Sequence, residues 1–472
     1  MKVPGEIDLI IVGAGPAGMA AARRAARRDL SVVVLDSQSQ PGGQIWRNAR
    51  RNARSPLINI LGDEYRRGVQ QIDAFLASGA EFVADAQVSR IDPNWTVEYV
   101  KDDVIHSLKG RSLLLATGAQ ERPVPFPGWT LPGVMTVGAA QILLKTAGQL
   151  PQGPVIVAGS GPLPLLYLQQ MRMAGAKPVA YLDTTPPKLW WRALRGLGGA
   201  ITQPDQILKG LAWLPMFSKV PHIGISGKIV AKGRERLESV EFTTTDGKTR
   251  EIAAATLLVH EGLVPGHHLA VSAGANLAWD QHQHAFKFAR DQWMNAGPRG
   301  LYLAGDGARI GGAVNAEIEG EIAAIGILLH SGVLSLDEAN SAAAPLRSSH
   351  SRQTAFRGFL DGLYPPNIAR TEADDATILC RCEEVSAGEL RNAAIRGSCT
   401  GPNQLKSFTR AGMGACQGRQ CGYPVHELVK SVAGAPADAV GLYYPRPPFV
   451  PMTVAMLAGV QVEPIENASP RH

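Results

Sequence analysis

Runs of consecutive apolar residues, each ending in glycines and followed by a helical pattern, dominate the first part of the chain. Residues 7–12 (I-D-L-I-I-V) predict a buried strand, residues 13–18 (G-A-G-P-A-G) a tight turn, and the small residues that follow the start of a helix. In the spacing G-x-G-x-x-G, one glycine makes the turn, one lets the backbone approach a pyrophosphate and one lets the helix pack on the strand. Pro16 suits a first helical turn.

A second apolar run, residues 32–35, ends in Asp36, at the place where an acid reaches the hydroxyls of an adenosine ribose. The two runs together predict a dinucleotide-binding unit, and the alternative is an ordinary glycine turn. Residues 41–46 (P-G-G-Q-I-W) then predict a loop pressed against the cofactor, with a plain surface turn as the alternative. Residues 62–78 have a helical pattern, and short strands are expected at 81–84 and 87–91.

Residues 111–118 (R-S-L-L-L-A-T-G) predict another buried strand that ends in Thr117 and Gly118. The proline-rich residues 121–132 exclude a helix or a central strand and predict an extended crossover to a second domain. A short helix is expected from Val137.

A second strand, glycine turn and helix begin at residue 154, with Gly159 and Gly161 in the turn and Asp183 after the next strand. Pro164 stands where the third glycine would be, and it brings a bulky ring and no N–H. The pattern therefore predicts a Rossmann-like domain, but it leaves open whether NAD(P), an adenine nucleotide or no ligand is bound. We expect the tryptophans 190, 191 and 213 in a core or an interface.

A third strand, residues 301–304, ends at Gly305-Asp306-Gly307 and precedes a helical pattern over 314–330. An acid beside a helix N-terminus suits a polyhydroxyl chain such as ribityl, and a structural capping aspartate is the alternative. The histidines 260, 267, 268, 282 and 284 lie on no single ligand-bearing face, so we do not expect them to bind a metal.

The five cysteines all follow residue 379, which excludes a redox-active dithiol in the earlier part of the chain. Cys380 and Cys382 form a C-x-C pair, and Cys416 and Cys421 form a C-x4-C pair. Four such thiolates suit a [2Fe–2S] cluster or zinc, and the tight first pair favours iron–sulfur. We predict that Cys399 is a small buried residue. The alternative is that it substitutes for one of the four cysteines as a ligand.

Composition adds limits on the partners of the protein. The 472 residues predict two to four domains, and 45% hydrophobic residues are ordinary for a globular protein. The net charge of +6 comes largely from arginine runs typical of solvated helix faces, so nucleic-acid binding is not expected. We expect neither a signal peptide nor a transmembrane segment, and hence a cytoplasmic protein whose membrane contact, if any, is made through an electron acceptor or partner.

The motifs together identify a family. The G-A-G-P-A-G start, the P-G-G-Q loop, A-T-G at 116–118 and G-D-G at 305–307 resemble the flavoproteins with two dinucleotide-binding domains, an α/β fold with Rossmann-like FAD and NAD-like domains. The cysteine segment is similar to the bacterioferritin-associated-ferredoxin-like [2Fe–2S] domain, although that family's last cysteine pair is usually closer. The whole chain resembles the larger FAD-containing subunit of bacterial opine oxidases, D-hydroxyproline dehydrogenases, heteromeric proline dehydrogenases and the cyanide-forming glycine dehydrogenase.

The resemblance implies which residues bind each cofactor. FAD would contact Gly13, Gly15, Pro16, Ala17, Gly18, Asp36, Gly43, Gln44, Val88, Thr117, Gly118, Gly305 and Asp306. The second nucleotide site would comprise Gly159, Gly161 and Asp183, and the cluster ligands would be Cys380, Cys382, Cys416 and Cys421. No catalytic residue is assigned, because the resemblance implies that a separate FAD-containing subunit, similar to D-amino-acid oxidase, oxidises the substrate, often with a small ferredoxin-like subunit present.

The predicted organisation is an FAD domain at 1–135 and 298–335, an NAD-like domain at 136–297, a linker at 336–373, a [2Fe–2S] domain at 374–432 and an extended tail at 433–472. The favoured hypothesis is an electron relay from flavin to cluster. A self-contained NAD(P)H:acceptor reductase and a zinc-containing scaffold without catalytic activity are the alternatives.

Overall fold

The computed structural model describes residues 6–186, 197–211, 219–367 and 373–459. The predictions for the tryptophans 190, 191 and 213, and for the ends of the linker and tail, lie outside these residues. The strands are β1 (Ile7–Val12), β2 (Val32–Leu35), β3 (Glu81–Val83), β4 (Gln87–Ile91), β5 (Thr96–Lys101), β6 (Val104–Leu115), β7 (Ala119–Glu121), β8 (Val134–Thr136), β9 (Val155–Gly159), β10 (Ala180–Asp183), β11 (His222–Lys232), β12 (Ser239–Thr244), β13 (Thr249–Ala253), β14 (Thr256–His260), β15 (Leu263–Pro265), β16 (Leu277–Asp280), β17 (Ala285–Phe288), β18 (Leu301–Leu303), β19 (Ile378–Cys380) and β20 (Val385–Ser386).

Wherever the sequence predicts a helix, the helix begins and ends close to the predicted residues. The helices are α1 (Pro16–Ala26), α2 (Ala49–Asn52), α3 (Leu57–Leu61), α4 (Asp63–Leu76), α5 (Val137–Ala147), α6 (Pro162–Met173), α7 (Leu197–Ile201), α8 (Pro204–Leu211), α9 (His268–Ser272), α10 (Ala313–His330), α11 (Leu336–Leu363), α12 (Ala387–Arg396), α13 (Pro402–Thr409), α14 (Gly422–Ala433), α15 (Ala437–Val440) and α16 (Val454–Leu457).

The first sheet has the order β3-β2-β1-β6-β5-β4, and β18 also pairs with β6. Strands β3, β2, β1, β6 and β18 run parallel, and the apolar residues of β2, β18 and the last part of β1 and β6 are buried on both faces as in α/β folds. Val12 and Leu303 both pair with Leu115, so the carboxyl ends of β1, β6 and β18 meet at one edge of the sheet. That edge is where ligands bind in open α/β sheets.

The second sheet has the order β13-β12-β11-β10-β9-β14-β8, with β10, β9, β14 and β8 parallel. Strands β12 and β13 form an antiparallel pair. Strands β7 and β15 form a two-stranded connection between the two sheets along the predicted crossover. The described residues thus contain two strand, glycine turn and helix units.

The segment assigned to a linker contains a long helix instead. Helix α11 runs over Leu336–Leu363, and Ser335 and Glu338 form a capping box at its N-terminus. Alanine favours helix strongly, and Ala339 and Ala343 are buried against the rest of the protein. The capping box and the buried alanines stabilise the helix more than Pro345, which lies inside it, destabilises it.

The cysteine segment has a core of its own. Strands β19 and β20 and helices α12 to α14 enclose buried apolar residues that include Leu390, Leu405 and Val425. Residues 441–453 then run without regular secondary structure towards the first sheet, where the N–H of Phe449 donates to the carbonyl of Ser89 in β4 (2.9 Å). The tail therefore joins the cysteine segment to the first sheet.

Candidate functional site

The first glycine turn has no room for side chains on its sheet side. A Cβ on Gly13, where φ is +105°, would overlap the carbonyl of Ala116, and a Cβ on Gly18 would overlap the carbonyl of Gly13. Gly320 in α10 lies equally close to the carbonyl of Ala17. The turn and the two helices thus pack at backbone distance: the positive φ of Gly13 fits the glycine predicted to make the turn, and the absence of a side chain at Gly18 fits the one predicted to let the helix pack.

The loop over residues 41–46 lies against this turn. The N–H of Gly42 donates to the carbonyl of Ala14 (2.8 Å), and a Cβ on Gly43 would lie 2.9 Å from Cα of Gly15. Lys145 in α5 donates to the carbonyl of Gln44 (3.0 Å) from the opposite side. The loop is therefore held in place at both ends of its Gly-Gly-Gln segment.

Asp36 lies at the end of β2 beside the turn. Its carboxylate accepts hydrogen bonds from the N–H groups of Ala14 (2.6 Å) and Gln38 (2.8 Å). Burial raises the pKa of Asp36, although both N–H groups oppose that shift. The N–H of Ala86 donates to the carbonyl of Asp36, so the segment that leads to Val88 passes the same place.

The carboxyl ends of β6 and β18 bring the two other predicted segments together. Gly307 lies so close to Thr117 and Gly118 that an added Cβ would be 3.0 Å from the hydroxyl oxygen of Thr117 and the amide nitrogen of Gly118. A Cβ on Gly118 or on Gly312 would meet no atom within 4 Å, so both glycines border open space. The glycine turn, Asp36 and Thr117-Gly118 follow parallel strands that end at the same edge of the first sheet, the edge at which open α/β sheets bind dinucleotides, and we call their backbone groups the cradle.

Asp306 lies at the N-terminus of α10. Its carboxylate accepts from the N–H groups of Gly311 (2.7 Å) and Gly312 (2.8 Å), and burial raises its pKa. Glu319, almost two turns into α10, accepts from the N–H of Gly305 (2.8 Å). Burial alone would raise the pKa of Glu319, but Arg290 and His350 outweigh it and hold it at about 2.

The second glycine turn is built differently. A Cβ on Gly159 would overlap the carbonyl of His260, whereas Pro164 lies in the first turn of α6. Asp183 does not face an open ribose site, because its carboxylate bonds Nε2 of His222 (2.9 Å) and the N–H of Thr185 (2.8 Å).

Residues 364–367, which follow α11, lie across this second turn. Cβ of Tyr364 lies 4.0 Å from the position of a Cβ on Gly161, and the N–H of Asn367 donates to Glu261 (3.4 Å). The side-chain amide of Asn367 donates to the carbonyl of Thr184 (3.5 Å). The chain thus covers the edge at which a nucleotide would bind.

Apart from the neighbouring pair His267 and His268, the histidines occupy separate places. His260 bonds Glu121 (2.7 Å), His267 packs against His268, and Nε2 of His268 lies 2.9 Å from the carbonyl of Gln417. His282 donates its N–H to the carboxylate of Asp280, and the ring of His284 packs edge-on against Trp279.

Four of the five cysteines converge. The thiol of Cys421 hydrogen-bonds Cys380 and, with the N–H groups of Gly412, Glu383 and Cys382, outweighs burial and lowers the pKa of Cys380 to about 6. Cys382 and Cys416 interact with each other in the same way, and burial raises the pKa of Cys382. Cys382 is exposed while Cys380 and Cys421 are buried, so the group lies at the surface with one edge open to solvent.

Backbone groups and one orphaned hydroxyl surround these four thiols. Gly414 lies so close to Cys382 that a Cβ would overlap that of the cysteine. The buried hydroxyl of Tyr443 makes no hydrogen bond of good geometry in the part of the chain that the structure describes, and it lies beside the thiol of Cys421. Clustered thiols, N–H groups and an unused donor fit an iron–sulfur cluster, which accepts hydrogen bonds at its sulfurs. Cys399 lies apart, with its Sγ 3.9 Å from the carbonyl of Ala393.

Three residues of these sites were not predicted from the sequence: Lys145, Glu319 and Tyr443. Lys145 and Glu319 had a local signal, since each is a charged residue within an apolar helix pattern. Tyr443 had none, because it reaches the cysteines from a segment that carries no motif.

Two family models match the chain. Residues 7–195 match "Pyridine nucleotide-disulphide oxidoreductase", and residues 378–431 match "BFD-like [2Fe-2S] binding domain". No helix in the described residues is long and apolar enough to cross a membrane.

Known proteins resemble the chain along its full length. It is 39% identical to the opine oxidase A subunit of Rhizobium meliloti (strain 1021) over 97% of this chain and 99% of that protein. It is 32% identical to hydrogen cyanide synthase subunit HcnB of Pseudomonas aeruginosa PAO1 over 96% and 99%. The fold is similar to that of L-proline dehydrogenase from P. horikoshii, with a TM-score of 0.70 over 96% of this chain and 79% of the other at 18% identity.

Proposed function

The chain belongs to the family of the opine oxidase A subunits, and on that premise we propose that it is the electron-transfer subunit of a heteromeric dehydrogenase or oxidase acting on an opine, D-hydroxyproline, proline or a similar amino acid. It is an FAD-dependent oxidoreductase of the α/β type with two dinucleotide-binding units, and its cofactors are FAD and a [2Fe–2S] cluster.

One contact supports the relay more than any other. The side-chain amide of Gln120 donates to the carbonyl of Arg419 (2.6 Å). Gln120 is two residues beyond Gly118, at the edge of the cradle, and Arg419 lies between Cys416 and Cys421. Nε2 of His268 makes a second contact with the same cysteine loop through Gln417. The two sites are therefore joined directly through the backbone of the cluster loop.

The proposal assigns FAD to the cradle formed by the first glycine turn, Asp36, the loop at Gly43 and Gln44, the edge at Thr117 and Gly118, and Asp306. It assigns the cluster to Cys380, Cys382, Cys416 and Cys421. Flavin takes up two electrons and releases them singly, and the cluster carries one at a time. The protein holds both groups in fixed positions, and its N–H groups at the thiolates set how readily the cluster accepts an electron.

The substrate is proposed to react elsewhere. The relatives are subunits of heteromeric enzymes by name. We therefore propose an FAD-containing catalytic subunit that resembles D-amino-acid oxidase as the partner, together with a small ferredoxin-like subunit. The proposal includes a cytoplasmic location.

The same chain could serve as an NAD(P)H:acceptor reductase only if the second glycine turn bound nicotinamide. Tyr364 and Asn367 lie across that turn, and Asp183 is already bonded to His222. These contacts favour the relay over the reductase.

The test uses the purified chain, prepared without oxygen, with flavin and iron counted. We expect flavin absorption bands and, after dithionite, a rhombic S = 1/2 EPR signal. Flavin without iron would overturn the relay. The untagged partner is then captured from the native host with the tagged chain, and a flavoprotein that lets an amino acid reduce the complex confirms the heteromeric enzyme. Bleaching of the flavin by NADH without any partner would favour the reductase instead.

A further inference from the structure

Tyr443 lies outside residues 378–431, the part that matches a [2Fe–2S] domain, yet its ring packs directly on the cysteine loop. A Cβ on Gly412 would lie 2.7 Å from Cζ of the ring, and a Cβ on Gly418 would lie 2.5 Å from Cδ2. Both glycines have positive φ, +88° and +82°. The ring therefore occupies space that exists only because these two positions carry no side chain.

The segment that carries Tyr443 is fixed on both sides. The side chain of Asn403 in α13 donates to the carbonyl of Leu442 (2.9 Å) and accepts from the N–H of Tyr444 (2.9 Å). Nδ1 of His426 in α14 lies 2.7 Å from the carbonyl of Gly441. These three contacts hold the backbone on both sides of Tyr443 in place. The ring of Tyr443 extends from this segment towards the thiols.

The hydroxyl at the end of this ring makes no hydrogen bond of good geometry within the described residues and lies next to the thiol of Cys421, although Tyr443 is only 3% exposed. A buried hydroxyl that makes no hydrogen bond is unfavourable, so such a group is normally paired. A tyrosine hydroxyl carries its proton at neutral pH, so it can act as a donor.

We propose that Tyr443 donates a hydrogen bond to a sulfur atom of the cluster held by Cys380, Cys382, Cys416 and Cys421, and thereby raises the reduction potential of the cluster. Reduction adds one negative charge to the cluster, so a donor at sulfur stabilises the reduced form more than the oxidised form. The residue is a positioning and tuning residue, not a ligand. The inference rests on the proposed function, because it requires the cluster.

Two substitutions at the same position test this in the full chain with FAD and cluster bound. Tyr443→Phe keeps the ring between Gly412 and Gly418 and removes only the donor. Replacement of Tyr443 by 3,5-difluorotyrosine keeps the ring and makes the donor more acidic. Tyr444→Phe, at an adjacent tyrosine that is 69% exposed, is the control. The measurement is an EPR-monitored redox titration of the cluster, with iron counted in each sample.

We expect Tyr443→Phe to lower the ratio of reduced to oxidised cluster at a fixed potential about tenfold, which is about 59 mV for one electron. The difluorotyrosine protein should shift in the opposite direction, and Tyr444→Phe should not shift. A purely structural role cannot produce opposite shifts. Unchanged potentials in both Tyr443 proteins with iron retained would overturn the inference and leave the proposed function intact. If Tyr443→Phe loses iron, the reduction potential of the difluorotyrosine protein alone tests the inference. Wild-type protein without iron would overturn the proposed function itself.

Discussion

The ammonium group of Lys145 donates to the main-chain carbonyl of Gln44 at 3.0 Å, from a side chain that is only 5% exposed. It also bonds the side chain of Gln141 one turn earlier in α5 (3.0 Å). Helix α5 is the first helix after the crossover, so this one cation ties it to the loop that backs the first glycine turn. Burial, followed by the charge of Arg47, lowers the pKa of Lys145 to about 7.

This lowered pKa predicts how stability depends on pH. Below pH 7 the side chain is protonated in both the folded and the unfolded state and contributes no pH dependence. Between about pH 7 and its usual 10.5, the unfolded chain holds a proton that the folded chain has released. The free energy of unfolding therefore rises with pH in this window, by up to about 1.4 kcal/mol per unit.

Lys145→Met removes this group and its pH dependence. The free energy of unfolding of wild type minus that of Lys145→Met should therefore increase by about 2 to 3 kcal/mol between pH 7 and pH 9.5. Thermal unfolding of the FAD-loaded proteins at both pH values measures the difference. Lys177→Met, at an exposed lysine, is the control. A constant difference between wild type and Lys145→Met would show that the ammonium stays charged.

The contact between Gly43 and Gly15 gives a second prediction. Gly43→Ala places a Cβ 2.9 Å from Cα of Gly15, so the loop must move away from the cradle. Gly79→Ala imposes the same kind of left-handed strain, since φ is +87°, but its Cβ would meet no atom within 4 Å. We expect both variants to lose about 1 kcal/mol of stability, and only Gly43→Ala to bind FAD about tenfold more weakly. Flavin titration into the apoprotein separates the two; equal affinities would show that the loop does not contact FAD.

How much of these sites the sequence predicts depends on whether the signal is local. Asp36 and Asp306 were predicted because each follows directly on a buried strand, and parallel strands bring such ends to one edge. Tyr443 was not predicted, because its ring contacts Gly412 and Gly418 from a segment well beyond them in the chain and leaves no periodic trace. Helix α11 was missed because Pro345 and the serines disfavour helix locally, whereas the capping box at Ser335 and burial against the rest of the protein favour it.

The separate position of Cys399 predicts which cysteines hold iron. Cys380→Ser and Cys416→Ser each remove one of the four converging thiols, so we expect loss of the S = 1/2 EPR signal and of most of the iron. Cys399→Ser should retain both, because its side chain packs against Gly397 and Ala393. Iron retained in Cys416→Ser together with loss in Cys399→Ser would assign the fourth ligand to Cys399.

The last prediction concerns residues 364–367, which lie over the second glycine turn. Tyr364 lies beside Gly161, and Asn367 bonds both Glu261 and Thr184, so the edge that a nucleotide needs is covered by the chain itself. In addition, Pro164 brings no N–H to the first turn of α6, where phosphates bind. We therefore expect neither NADH nor NADPH to bleach the flavin of wild type within minutes.

Tyr364→Ala separates the two causes, since it removes the ring but leaves Pro164. Calorimetric titration with ADP should give an affinity at least about tenfold higher for Tyr364→Ala than for wild type, while Tyr444→Ala, at an exposed tyrosine, should match wild type. NADPH should still fail to bleach the flavin of Tyr364→Ala, because opening the edge restores no phosphate-binding N–H. Equal ADP affinity of wild type and Tyr364→Ala would mean that the segment does not control access to the second turn.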